Sequence, residues 1–327
     1  MPSDPARVLR DAATAWRRQG DACLAAGLQV GAAAAETVGL GRIRPGGPVP
    51  GPGTVFEVAS ITKLFSAACL AVLAGRGTVA LDDPVELAGG GRTTLAELAT
   101  HTSGLPRRQS GHLRRVRHPR RPHWGLTERE VDRRVRRSSR GPVGAFAYSN
   151  LGYGLLGLEL GRRAGVPYPR LVDELVCRPL GLAATGIGPG SGDRQAVSIR
   201  AGRPLPPWGN GVLAAAGDLR SCVADLLRFG RLWCGDGPDE LLAAAALMRS
   251  RRVETGLGFE QELGWRVSHR GSERERLWHG GGSAGFRSGM WVLPDRAAVF
   301  VALTSTARNR REAFDPLFDL AADSVAT

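Results

Sequence analysis

The sequence predicts an α/β architecture with a mainly helical insertion, and three observations carry that prediction. Both ends of the chain are rich in strand-like segments, and the middle is helical and loop-rich. The most apolar helix lies where the first strand-rich section gives way to that middle. Residues 5–20 read as an amphipathic helix. LAAGLQVGAAAAETV, from Leu24, and its continuation read as strands turning at a Gly/Pro cluster between Arg44 and Gly53. FEVAS closes that section. ITKLFSAACLAVLAGRG then reads as an apolar helix ending at Gly75 and Gly77.

In the middle, LGYGLLGLELGRRAG, YPRLVDELVCRPLG and DLRSCVADLLRFGRLWCG read as helical stretches. Strand character returns in SGMWVLP and AAVFVALTS, and a last helix is expected from Arg311 to Val325. The expected organisation is one α/β domain built from both termini (residues 1–78 and 255–327). Residues 79–254 would form a mainly helical inserted domain containing the Arg-rich segment 107–140.

Composition narrows the class. A chain of 327 residues with 43% hydrophobic content can bury a large core. Its five cysteines are scattered and contain no C-x-x-C, which suggests reduced structural thiols rather than a disulfide scaffold or zinc site. The start of the chain is polar and no run of about eighteen apolar residues occurs, so neither an export signal nor a membrane span is expected. A cytoplasmic setting, with no metal and no cofactor, follows as the expectation.

The net charge is +13, and Arg107–Arg140 holds thirteen arginines against Glu128, Glu130 and Asp132. The plainer reading is a solvated surface segment. The sharper one is an electropositive rim that attracts an acidic substrate or carrier protein. Nucleic-acid binding is not expected, because Trp124 is the segment's one aromatic and no recognised motif accompanies the charge. Inside it, Thr127-x-x-Glu130 reads as a capping box opening a short helix with Val131 and Val135 facing inward.

Lys63 is the single lysine among 44 basic residues. Arginine stays protonated in any protein environment, whereas a lysine can give up its proton when buried or placed near positive charge. Ser60 stands three residues earlier, so on a helix the two side chains share a face, and a hydroxyl lies within reach of an amine able to activate it. Three further stretches can partner this pair. YSN supplies Tyr148, a phenol able to exchange protons beside an ammonium, and Asn150, whose amide can donate and accept at once. In WHGGGSAGFRSGMWVLP, His279 and the glycines Gly280–Gly282 precede a strand, where free N–H groups can face an oxyanion. LATHTSGLP by itself says only that a loop follows a helix.

Taken together and in this order, these stretches resemble the serine β-lactamase and penicillin-binding-protein superfamily, in its class C β-lactamase, DD-peptidase and esterase branch. The resemblance runs from about Phe56 to Ser305 through FEVASITKLFSA, GRGTVALDDPVEL, LATHTSGLP, YSNLGYGLLGLEL, GVLAAAGDLRSCVADLLRFG and HGGGSAGF. It implies an antiparallel sheet flanked by helices with an inserted helical domain. Carried over by position, Ser60 is the acylated nucleophile, Lys63 its activating amine and Tyr148 the proton shuttle. Asn150 orients Lys63 and the substrate, and His279 and Gly281 belong to the third motif. The backbone N–H groups of Ser60 and Gly282 form the oxyanion hole.

Two departures shape the functional expectation. His-Gly-Gly replaces the family's Lys-Thr-Gly, removing a fixed cation that grips a β-lactam carboxylate, and GPVGAFAYSN replaces the usual Pro-Gly-aromatic lead into the tyrosine motif. The expected activity is a cytosolic serine hydrolase or acyltransferase working through acyl-Ser60 on a small ester, thioester or amide. Water, an amine or an alcohol would be the acceptor, and natural-product biosynthesis a fitting setting. A β-lactamase or DD-carboxypeptidase, and a catalytically idle binding member of the superfamily, are the alternatives.

Overall fold

The computed structural model describes residues 23–106, 127–188, 192–200, 203–272 and 274–305, together with residues 7, 9–11 and 13. The expected C-terminal helix and residues 107–126 of the Arg-rich segment lie outside these. An eight-stranded antiparallel sheet forms the frame. Its strands are β1 (Cys23–Val30), β2 (Glu36–Gly41), β3 (Val253–Glu254), β4 (Glu260–Gln261), β5 (Arg266–Ser268), β6 (Arg276–Gly282), β7 (Phe286–Leu293) and β8 (Ala298–Ser305). Their order across the sheet is β3-β4-β5-β6-β7-β8-β1-β2, so strands from the two ends of the chain pair within one sheet, β1 next to its β2 edge.

The β1–β8 register runs from Cys23 opposite Ser305 to Val30 opposite Ala298. Alternation of side chains gives this pair two apolar faces. Leu24, Ala26, Leu28, Phe300 and Ala302 pack on one side with Leu9, Ala13 and Trp291. Cys23, Ala25, Val299, Val301 and Leu303 face the main core.

Helix α1 (Thr62–Gly75) runs through that core, and every residue from Thr62 to Leu73 is buried. A helix apolar all round belongs inside a protein, and Lys63 is the one charged side chain among those twelve positions. Further α-helices among the described residues include α2 (Leu95–Ala99), α3 (Glu128–Arg136), α4 (Asn150–Ala164), α5 (Tyr168–Val172), α6 (Val223–Gly230) and α7 (Asp239–Met248). In α3 the capping box between Thr127 and Glu130 is complete, and Val131 and Val135 are its buried positions, in line with the sequence pattern.

Two expectations need correction. DLRS does not begin a helix: Leu219–Ser221 is a strand pairing with Phe56–Glu57, and the helical part is Val223–Gly230 followed by a 3₁₀ turn at Arg231–Cys234. His279–Gly282 does not merely precede a strand but forms the end of β6. In both cases cross-strand pairing overrides local helix or turn preference.

Candidate active site

The nucleophile turn is built from backbone inward. Val58 N–H donates to Leu219 O at 3.1 Å. Ala59 takes a left-handed φ of 45°, and Ala59–Ile61 forms a short 3₁₀ turn ahead of α1. Thr62 braces this turn twice, donating from Oγ1 to Ala59 O at 2.6 Å and accepting from Leu219 N at 3.0 Å. The turn presents Ser60, half-buried, at the N-terminal end of α1, where aligned peptide dipoles favour negative charge.

Two proton-bearing groups converge on Ser60. Lys63 Nζ donates to Ser60 Oγ at 3.2 Å and to the carbonyl of Ala216 at 2.5 Å, and the lysine is fully buried. Tyr148 Oη donates to the same Ser60 Oγ at 3.0 Å. Lys63 Nζ also lies 5.1 Å from the centre of the Tyr148 ring. Burial by itself would push the Tyr148 phenol up. The Lys63 charge, hydrogen bonds to Ser60 and Lys63, and the Arg266 charge together outweigh it and hold the phenol below its usual range. Ser60, Lys63 and Tyr148 therefore form one hydrogen-bonded cluster that links a hydroxyl to a phenol of lowered pKa and to an amine.

His279 and the glycines close the site from β6. His279 is fully buried, and neither ring nitrogen has a hydrogen-bond partner among the described residues. Burial first, then Arg266 and Lys63, press its pKa well below the usual imidazole range, so it is neutral. Gly281 must lack a side chain: a Cβ there would stand 2.3 Å from both Val58 O and Ser288 Oγ, and 2.9 Å from Ser60 N. That space lets Ser288 Oγ reach Val58 O at 2.7 Å. The pairing of β5 with β6 stops at Trp278, while β7 continues to Gly282. From His279 onward the other edge of β6 thus carries no strand among the described residues, and it lies beside the nucleophile. Gly282 stands at the exposed end of this edge, and Asn150 opens α4, half-buried, two residues past Tyr148.

Three contributors were not legible in the sequence. The first is Ala216, whose carbonyl holds Lys63. It ends the 3₁₀ helix Gly211–Ala216, whose two ends are tied by Asp218: its carboxylate accepts from the backbone N–H of Asn210 at 2.6 Å and from the Asn210 side chain. Burial pushes Asp218 up to about 6 against these bonds and the Arg220 charge.

The second is His101, in the stretch that reads only as a loop. Its Nδ1 accepts from Ser149 N at 3.0 Å, and its ring lies 4.4 Å from that of Tyr148. Around it, Gly141, Gly144 and Ala147 donate to the carbonyls of Gly104, Thr102 and His101. The loop at 101–106 is strapped to the altered lead into the tyrosine motif.

The third is Arg266, at the start of β5 opposite Trp278. Its guanidinium lies 4.9 Å from the ring centres of both Phe259 and Trp278 and 5.5 Å from that of Tyr148. A fixed cation therefore stands at the site after all, supplied by the neighbouring strand rather than by the third motif. No sequence signal distinguishes it from the other arginines. Among the described residues no group of three or more His, Cys, Asp or Glu could hold a metal ion.

The antiparallel sheet, the central helix and the cluster at its start define a protein of the serine β-lactamase and penicillin-binding-protein superfamily. The chain belongs to the Beta-lactamase family, a serine-hydrolase family whose model matches residues 7–324. Over 204 residues it is 34% identical to the D-alanyl-D-alanine-carboxypeptidase/endopeptidase AmpH of Escherichia coli (strain K12), covering 58% of this chain and 51% of that protein. It is 32% identical over 186 residues to the esterase EstB of Burkholderia gladioli, covering 47% of this chain and 43% of that protein. The chain thus spans about half the length of AmpH, or less in the case of EstB. Its fold matches a β-lactamase/D-alanine carboxypeptidase from Pseudomonas syringae with a TM-score of 0.84, at 17% identity and 98% coverage of both chains. A class C β-lactamase from Rhodobacter sphaeroides gives 0.82 at 20% identity, again over 98% of both.

Proposed function

We propose that the protein is a serine acyl-transfer enzyme that forms an acyl-Ser60 intermediate from a small ester, thioester or amide. The observation carrying this reading is the convergence of Lys63 Nζ and Tyr148 Oη on Ser60 Oγ at 3.2 and 3.0 Å. In this reading the Lys63–Tyr148 pair takes the Ser60 proton as Oγ attacks the acyl carbon, with Tyr148 passing it on to the leaving group. The same pair then deprotonates the second acceptor, which is water, an amine or an alcohol. The N–H groups of Ser60 and Gly282 bind the oxyanion. Asn150 and the open edge of β6 at His279–Gly281 hold the donor, the strand edge through its backbone groups. All five cysteines lie among the described residues and are free, which supports a reducing, cytoplasmic setting. Among the described residues no helix is long and apolar enough to cross a membrane.

Arg266 favours a second reading, a β-lactamase or DD-carboxypeptidase. A cation beside Tyr148 and the open strand edge suits a donor bearing a carboxylate next to its scissile bond, as β-lactams and C-terminal peptides do. The relationship to AmpH supports this reading, and that to EstB supports the first.

Intact-protein mass after exposure to a fluorophosphonate, an activated ester and a penicillin, with Ser60→Ala as control, separates them. Ser60-dependent adducts with phosphonate and ester alone support the esterase or acyltransferase. A penicillin adduct, or rapid penicillin turnover, supports the second reading. No adduct from any probe overturns both.

A further inference from the structure

We infer that Glu57 is a positioning residue that sets the oxyanion geometry by clamping the nucleophile turn to the end of β6; this rests on the acyl-enzyme reading above. Glu57 lies three residues before Ser60 and is only 6% exposed. One carboxylate oxygen accepts from Ser283 Oγ at 2.7 Å, and Ser283 directly follows Gly282. The other accepts from the backbone N–H of Trp208, also at 2.7 Å. Arg220, itself buried, lies 3.9 Å away and donates to Trp208 O at 3.3 Å.

The second tie is the Ser288 hydroxyl on Val58 O, made through the gap at Gly281. The two ties join the segment leading into Ser60 to the strands around Gly282, the two positions whose backbone N–H groups are assigned to the oxyanion. One joins Glu57 to Ser283, and the other joins Val58 to the strand beneath Gly281. Ala59 directly follows the two tied residues at φ 45°, a left-handed backbone in which its Cβ crowds the chain, so the turn needs such restraint. An oxyanion donor acts only when aimed at the developing charge, and one misplaced donor lowers rates by about 10²–10³-fold.

The test uses the full chain and follows phosphonylation of Ser60 by a fluorophosphonate, separating the maximal rate from the half-saturating concentration. Ser283→Ala removes one hydroxyl and is the primary variant. Glu57→Ala and Glu57→Gln accompany it, with Tm measured for each. A glutamine can accept from Trp208 N–H and donate to Ser283 Oγ, so it preserves both ties.

We expect Ser283→Ala and Glu57→Ala to lower the maximal rate by about 10- to 100-fold with half-saturation changed less than about twofold. Glu57→Gln should recover about tenfold or more over Glu57→Ala. A Ser283→Ala protein that reacts at the wild-type rate overturns the clamp while leaving the acyl-enzyme reading intact. So does a loss confined to half-saturation or to Tm. A wild-type protein that forms no Ser60 adduct overturns both.

Discussion

The guanidinium of Arg266 lies 5.5 Å from the centre of the Tyr148 ring, and its charge is one of the influences holding that phenol below its ordinary range. In the proposed mechanism it is the Tyr148 anion that takes a proton from Ser60, so activity should rise as pH passes upward through the Tyr148 titration. Replacing Arg266 by methionine removes a positive neighbour and lets the phenol move up. The acid limb of the pH–kcat/KM profile should then lie at higher pH. For every pH unit that the limb moves, activity at neutral pH should fall about tenfold, which a profile of ester hydrolysis measures directly.

Lys63 sits fully buried with contacts to both Ser60 Oγ and Ala216 O. Lys63→Arg keeps a charge but not an amine that can share its proton, and the larger fork has no matching space. Loss of about 10²–10⁴-fold in kcat is expected, read by ester turnover or by Ser60 adduct formation. Retained activity would refute the proton-sharing role.

Gly281→Ala places a methyl 2.3 Å from Val58 O and Ser288 Oγ. Strand or turn must shift, so a destabilisation of about 1–3 kcal/mol should accompany a fall in Ser60 reactivity. Thermal unfolding alongside adduct kinetics checks both.

His101→Leu leaves the Ser149 N–H without its acceptor and removes the ring beside Tyr148. A buried donor left unpaired costs about 1–3 kcal/mol, so Tm should drop. With the tyrosine turn loosened, kcat should fall more than KM rises.

Asp218 is raised to about 6 from an ordinary value of 3.8, with burial the largest cause. The folded state therefore binds this proton more tightly than the unfolded chain. The resulting stability is fully present below about pH 4 and is lost as pH rises through about 6. Asp218→Asn should flatten that part of the stability–pH curve, on the order of 3 kcal/mol across it, in urea unfolding at a series of pH values.

Much of this site is legible in the sequence, because its chemistry is concentrated in scarce residue types. One lysine, a serine three places before it, and a tyrosine among only three in the chain are conspicuous, and the structure brings Ser60, Lys63 and Tyr148 together. Contributors written in common residues stayed hidden. Ala216 acts through a carbonyl that every residue type carries. Arg266 is one arginine among many. His101 gains meaning only from the loop folded against it.

Legible in the residues alone are the apolar helix carrying Lys63, the strands toward both ends, the capping box at Thr127 and the ordered motifs of the family. Each depends on local periodicity or on a side chain irreplaceable for its chemistry. Folding brings out that Leu219–Ser221 is a strand, that β6 has an open edge beside Ser60, and that the Arg266 guanidinium lies beside Tyr148. Those outcomes are set by contacts between residues far apart in the chain. Strand pairing, burial and the summed field of neighbouring charges have no counterpart in a window of adjacent residues.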